Sequence, residues 1–577
     1  MNPNGGMDGG PIVPKAIFTG TRNDPDGKRY VAVGVEHWKN GEFEKARLVF
    51  RSALDRWPDD ENIWVLLGGL YSQLGEYQKS LNCSLEAVRL KPGSALALHG
   101  AAASFHNLGI ASKCLEYELK AVEADPEFAP ARDGLAVAYQ KVFQMKDAIK
   151  EYTQLLLKHP NNEDALSHLC LASIYMPETT PENLYVTHRY YGEVAERVEE
   201  TKFENEKNPE KKLRVGFLSS DFKRHSVCYF MEALMRDLDR SQFEVYLYYF
   251  GHKNDEVTER CRGFADKWVE IKPHAAFMGE VLKDKLDVAF DLCGHTGHQL
   301  CFFAKRIAPV QIVYMGYPST TGLTRMDYRF TDFWADPFGE ADKWHTEKLV
   351  RLPGTSWTYL PIPTVPEVSA PPCLVNGYVT FGSFNNFQKM HDGQLVTWRK
   401  VLDAVPNSRI IFKSFGLNDP ETSPRVKERL ERLGFAGRYT LYGAAATTER
   451  HLGMYGLMDI GLDPEPFNGA TTTCEAMLMG VPVITLEGNR HAARVGVALL
   501  NAMGHPEWIA KGEDEFIAKA AELASDTAKL DAIRRSLRAE FYASPVLDHK
   551  GQAEKFGDAI RDCWREYCLK PVEAVGQ

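Results

Sequence analysis

None of the chain's 11 cysteines stands in a C-x-x-C pair; they are odd in number and scattered. That excludes common zinc-ribbon spacings and a disulfide framework, and fits a reducing compartment, the cytoplasm. No apolar run reaches about 18 residues, so no membrane-spanning helix is expected. Residues 1–26, rich in Gly, Pro and Asp, lack the apolar core of a secretion signal and read as a flexible leader. Positive charge is not in excess: 68 Lys and Arg against 78 Asp and Glu give a net charge of -10. Basic clusters are as short as Lys211-Lys212, so nothing electrostatic points to nucleic acid. Two literal D-x-D strings occur, Asp24-Pro25-Asp26 in the leader and Asp237-Leu238-Asp239 at the end of a surface helix. Neither sits where a metal-dependent site would need it, and no metal or cofactor is expected.

What is present is ordinary globular chemistry, with 44% hydrophobic and 25% charged residues, in a chain long enough for three or four domains. A repeat comes first. Pro58, Pro92, Pro126 and Pro160 are spaced by 34 residues each time, the period of paired tetratricopeptide helices. Small residues recur at one offset (Gly34, Gly68, Ala102, Ala136), where two helices must approach closely, and each proline ends the second helix of its unit. A degenerate fifth unit follows around Asp164–Tyr175. One unit cannot bury its apolar face alone, so 27–176 is read as a stacked α-superhelix with a groove for extended protein segments. Residues 177–212, helix-prone over Tyr185–Glu200 and punctuated by Pro177, Pro181 and Pro209, form a connector.

From Leu213 the period changes. Short apolar runs at Leu213–Ser219, Phe243–Tyr248, Leu286–Leu292, Val310–Tyr314 and Tyr328–Phe330 alternate with helical stretches. After the prolines between Pro361 and Pro372 the pattern restarts at Val379–Phe384, Arg409–Lys413, Tyr439–Tyr442, Asp459–Asp463 and Pro482–Leu486. Strands separated by helices imply parallel sheets covered on both faces. The reading is two doubly wound α/β lobes, 213–360 and 377–570, joined by a linker over 361–376, with ligands at the carboxyl ends of the strands.

Four segments carry candidate chemistry. In Leu462–Met477 a strand gives way to a glycine-containing loop and then to Thr471, Thr472 and Thr473 at a helix start, where free amides and hydroxyls make an anion site suited to a diphosphate. Glu475, one turn in, is placed to bond a ribose; simple N-capping by Thr471 or Thr472 is the alternative. Phe384–Lys389 puts a lysine in a strand-to-helix loop, where it can meet phosphate as a point charge. Ser219–Ser226 places His225 after the first strand of the first lobe, either as an acid/base group or as a structural loop histidine. Met315–Gly322 is a polar turn whose backbone can approach a sugar, or a plain connection.

Together with the 34-residue repeats, these segments resemble glycosyltransferase family 41, over about Tyr30 to Cys568. The resemblance implies a GT-B type pair of lobes and a UDP-sugar as donor substrate. It assigns His225, in S-S-D-F-x-x-H, to a place beside donor sugar and acceptor, and Lys389, in F-N-x-x-x-K, to the diphosphate. Asn386 takes a position near the phosphates, His451 and the backbone of Ala446 contact the base, and Asn468, Gly469, Thr471 and Thr472 hold the diphosphate. Glu475 stands where the family has a ribose-binding aspartate, and Gly316, Tyr317 and Pro318 form a turn near the sugar. Thr448 replaces a lysine that approaches the uridine, Ala470 replaces a histidine ahead of the threonines, and the long insertion between lobes is missing. The activity implied is inverting, metal-independent transfer of N-acetylglucosamine to Ser and Thr of proteins held by the repeats. Close alternatives are UDP-glucose to Asn, GDP-fucose to Ser and Thr, or a repeat scaffold with a weak nucleotide site.

Overall fold

The computed structural model describes residues 25–251, 253–271 and 277–570; the expected leader lies outside them except for Pro25 and Asp26, which already open the first helix. The described residues divide into two compact units, those up to 165 with 415–426, and 166–414 with those from 427 onward.

The first unit is built on the helix pairs the proline period predicts: α1 (Pro25–Lys39) with α2 (Phe43–Arg56), α3 (Glu61–Gln73) with α4 (Tyr77–Leu90), α5 (Ala95–Asn107) with α6 (Ala111–Ala124), and α7 (Ala129–Lys141) with α8 (Met145–Lys158). Ala102 and Ala136 are fully buried between helices. Asp60 and Ser94 cap α3 and α5 with their side chains, satisfying amides that would otherwise lack partners. The loop segment 415–426, distant in sequence, completes this unit. Asp419 accepts hydrogen bonds from the Ser112 amide (3.2 Å) and hydroxyl (3.0 Å) at the start of α6.

The second unit opens with α9 (Glu163–Ile174), a single helix where a degenerate fifth unit is expected, and α10 (Pro181–Ala195), the helix of the connector. Two parallel sheets come next. The first contains β1 (Leu213–Ser219), β2 (Phe243–Tyr249), β3 (Lys267–Glu270), β4 (Val288–Asp291), β5 (Val310–Val313), β6 (Tyr328–Thr331) and β7 (Lys348–Arg351), in the order β3-β2-β1-β4-β5-β6-β7. The second contains β8 (Thr380–Ser383), β9 (Arg409–Lys413), β10 (Tyr439–Tyr442), β11 (Ile460–Leu462), β12 (Val483–Leu486) and β13 (Ile509–Ala510), in the order β10-β9-β8-β11-β12-β13. The strand order reverses between β1 and β4 in one sheet and between β8 and β11 in the other. In open α/β sheets the crevice at that reversal is where ligands bind.

One expected boundary is corrected. The helix His549–Leu569, placed by its position in the chain with the second lobe, packs into the first. Phe556, Ile560 and Trp564 are fully buried in the core that holds Val215, Phe217, Phe290, Ile312 and Phe330. The Phe556 ring lies 5.2 Å from Phe290, 5.4 Å from Tyr314 and 5.5 Å from Phe330. An apolar helix face joins whichever sheet leaves room for it, and sequence order does not decide that.

Candidate functional site

The candidate segments follow the strands at the two reversal points. In the second lobe, β8 leads into Phe384–Lys389 and β11 into the loop ending at the helix Thr471–Leu478. No side chain caps that helix. Lys389 Nζ donates to the Asn468 carbonyl at 2.6 Å and to Asn385 Oδ1 at 3.3 Å. Thr472 Oγ1 donates to the same Asn385 Oδ1 at 3.1 Å. The lysine and the paired threonines, 83 positions apart in the chain between Lys389 and Thr472, thus meet at one asparagine. A Cβ on Gly469 would lie 2.3 Å from Thr472 Oγ1 and 3.0 Å from Asn385 Oδ1, so this corner closes only around glycine.

Behind it, Asp463 accepts from the Gly469 amide (2.7 Å) and from Thr485 (2.8 Å), while Asn468 bonds the Pro464 carbonyl and the Gly496 amide. The loop shape is therefore held from below. Desolvation in the cleft lowers the Lys389 ammonium to about 8, with Asp463 pulling the other way. The ammonium also lies 4.2 Å over the Phe467 ring.

The resemblance favours Asn386, and the structure moves the emphasis by one residue. Asn386 is exposed and caps its own turn through the Gln388 amide, whereas the buried Asn385 is the hub. The Phe384–Lys389 pattern by itself does not say which of the two asparagines turns inward.

His451 and Glu475 come together. His451 Nε2 lies 2.8 Å from Glu475 Oε2, which also accepts from Tyr455 OH at 3.0 Å. Both residues are buried, and His451 Nδ1 has no partner among the described residues. Ala446 is exposed, two residues before the helix Thr448–Gly453 that carries His451.

In the first lobe, β1 leads to His225, the N-cap of the helix Ser226–Asp237. Its Nδ1 accepts the Val227 amide at 3.3 Å and lies 3.6 Å from Asp221. Burial in the cleft wall lowers the imidazole, Asp221 opposes, and Lys223 adds to the lowering. Its side chain still keeps 43% of its accessibility. A neutral ring whose Nδ1 accepts a backbone amide carries its proton on Nε2. Tyr229, one turn beyond His225, senses the second lobe: after burial, the Glu475 carboxylate is the next cause raising its phenol.

The turn after β5, read from sequence as a backbone approach to a sugar or a plain connection, is tightly packed. Gly316 is essential, because a Cβ there would sit 1.7 Å from the Leu292 carbonyl oxygen. Tyr317, however, is fully buried, with its hydroxyl 2.6 Å from His188 Nε2 on α10. Its side chain anchors the turn against the connector helix, and Pro318 is half-buried beside it. Tyr317 and Ala492 share a small apolar cluster with Phe467, which brings the turn next to the Lys389 corner.

Among the described residues, one trio has the makings of a metal site: buried Cys170, His188 and His295. All four imidazole nitrogens already have partners: His188 bonds the Leu184 carbonyl and Tyr317, and His295 bonds Ser167 and the Thr321 carbonyl. The trio therefore ties α9 and α10 to the first lobe and offers no free imidazole lone pair.

A pair that sequence reading misses joins the lobes. His491 Nδ1, after β12, lies 2.7 Å from Asp336 Oδ2, after β6, and Thr331 donates to the same oxygen. Burial alone would raise the Asp336 carboxyl; the His491 ring and its hydrogen bond, with His345 and Arg329 behind, outweigh that and hold it well below the carboxylate range. The two residues are 155 positions apart, so no local pattern could pair them. His491→Ala is expected to cost about 3–5 kcal/mol, because it strands a buried carboxylate. The measurement is urea unfolding at pH 7. The folded pKa is depressed, so the stabilisation is present above about pH 4 and fades as acid protonates Asp336; the gap between variant and wild type closes there. A gap that persists unchanged at low pH would count against the ion pair.

Comparison with known proteins fits this geometry. The family model described as glycosyl transferase family 41 matches residues 194–359 and 371–556, and a tetratricopeptide repeat model matches 61–94. A probable UDP-N-acetylglucosamine–peptide N-acetylglucosaminyltransferase SPINDLY of Petunia hybrida is 38% identical over 426 residues, covering 72% of this chain and 46% of the relative. A probable UDP-N-acetylglucosamine–peptide N-acetylglucosaminyltransferase SEC of Arabidopsis thaliana is 28% identical, covering 62% of this chain and 38% of that one. The chain thus spans about half or less of the length of these curated relatives. A solved mutant of the Thermobaculum terrenum O-GlcNAc transferase superposes with a TM-score of 0.83 at 29% identity, covering 88% of this chain and 98% of that one.

Proposed function

Because the chain belongs to glycosyltransferase family 41, we propose that it moves N-acetylglucosamine from UDP-N-acetylglucosamine to Ser and Thr hydroxyls of proteins, with inversion and without a divalent metal. The observation that carries this reading is the Lys389–Asn385–Thr472 corner at an uncapped helix end. Backbone amides, hydroxyls and one ammonium converge there, the chemistry that binds a diphosphate.

In the reaction, the acceptor oxygen bonds to the anomeric carbon as the bond from that carbon to the diphosphate oxygen breaks. Negative charge grows on the departing phosphate, where Lys389 and the amides before Thr471 and Thr472 stabilise it. Fixed groups of the chain thereby take the role a divalent cation has elsewhere. His225 holds its proton on Nε2 and so acts as a donor toward the sugar or diphosphate. Taking the acceptor's proton would require it to release the Val227 amide. The proton therefore goes to a donor phosphate oxygen. Protein acceptors are presented by the repeat groove, since paired-helix stacks leave a concave surface for extended chains.

The test is transfer to host proteins with UDP-N-acetylglucosamine, UDP-glucose and GDP-fucose, read by intact mass. An added N-acetylhexosamine on Ser or Thr is the expected product. A hexose on Asn or a deoxyhexose would replace the donor assignment, and no adduct from any donor would leave only a repeat scaffold.

A further inference from the structure

Lys413 is the last residue of β9 and is only 8% exposed. Its neighbour Phe412 packs on one face of the sheet, against Trp398 and Phe387. Alternation along the strand sends Lys413 to the other face. There its ammonium lies 5.5 Å over the Phe384 ring. It makes no hydrogen bond among the described residues. An ammonium so enclosed and unpaired costs the fold stability. Desolvation lowers the ammonium and the Glu475 carboxylate opposes through the field; the Glu475 Oε2 oxygen is already engaged by His451 and Tyr455.

Two lysines of the second lobe, the half-buried Lys389 and the buried Lys413, flank one corner. Lys389 stands on the Asn385 side, at the helix end, and Lys413 on the Phe384 side, toward Glu475, His451 and Tyr455. A ligand that lays its phosphates on the helix end and extends toward His451 passes Lys389 first and Lys413 next. Beyond the phosphates of a nucleoside diphosphate lie ribose and base, whose acceptors are hydroxyl and carbonyl oxygens. We propose that Lys413 is a nucleoside-recognition residue, donating from its ammonium to an oxygen of the ribose or base of the donor nucleotide. This rests on the transferase reading above and adds to it the group that reads the nucleoside half.

Calorimetric titration of the full chain with UDP, GDP and pyrophosphate separates the two lysines. Lys413→Met is expected to weaken binding of the preferred nucleotide at least tenfold and to leave pyrophosphate within twofold of wild type, whereas Lys389→Met weakens both. Removing an unpaired buried charge should leave the Lys413→Met melting temperature equal to or above that of wild type. Lys413→Arg should recover part of the nucleotide affinity. Nucleotide affinity unchanged in Lys413→Met, a parallel loss of pyrophosphate, or a melting temperature lowered by several degrees would each overturn the proposal while the diphosphate corner stands. A wild-type chain that binds none of the three probes would remove the transferase reading, and this inference with it.

Discussion

Lys389→Met lowers the rate of sugar transfer by about two to three orders of magnitude, the loss expected when one preorganised donor is removed from a site of developing charge. Methionine keeps the length and deletes the charge, with its contact over the Phe467 ring and its hydrogen bonds to Asn468 and Asn385. The cradle backbone persists because Asp463, Thr485 and Gly496 fix it from below. The pH profile gives the second readout. In the free protein the ammonium titrates at about 8, because the cleft desolvates it. It is charged below that value and neutral above it. Bound phosphates favour the charged form, so wild-type affinity for UDP should be flat below about pH 8 and then fall by up to tenfold per pH unit. The methionine variant should show no such break. A wild-type affinity that stays level to about pH 9.5 would mean that Lys389 does not touch the diphosphate.

Phe556→Ala is expected to cost about 3–5 kcal/mol of stability, the loss for a fully buried aromatic. The ring is enclosed by Phe290, Tyr314 and Phe330 with Phe217 beyond, all held by strands, so the cavity cannot collapse by a simple rotamer change. Urea unfolding should show the midpoint falling, and Phe556→Leu should recover much of the loss by refilling the volume. A loss below about 1 kcal/mol would mean the helix is loosely docked.

The repeats are legible in the sequence because a fixed proline period and a column of small residues are written locally. The central strands are legible because both faces are buried and the runs are continuously apolar. The edge strands Lys267–Glu270 and Lys348–Arg351 escape a reading by pattern: they are short, partly exposed and begin with lysine. The candidate anion loop is readable from Gly469, Thr471 and Thr472 at a helix start. Asn385, Lys413 and the Asp336–His491 pair are not, because each depends on which side of a turn or strand a residue faces, or on a partner far away in the chain. The anchoring of the Tyr317 side chain is illegible for the same reason: its partner is His188, on a helix that precedes the lobe.

The docking of His549–Leu569 has a consequence for biosynthesis. The strands of the first lobe leave the ribosome well before the helix that seals them, with the whole second sheet made in between. Until translation reaches that helix, Phe217, Phe290 and Phe330 lack their cover. The nascent first lobe is thus an incomplete, sticky intermediate during elongation, and a chaperone that shields aromatic surface would find its client there.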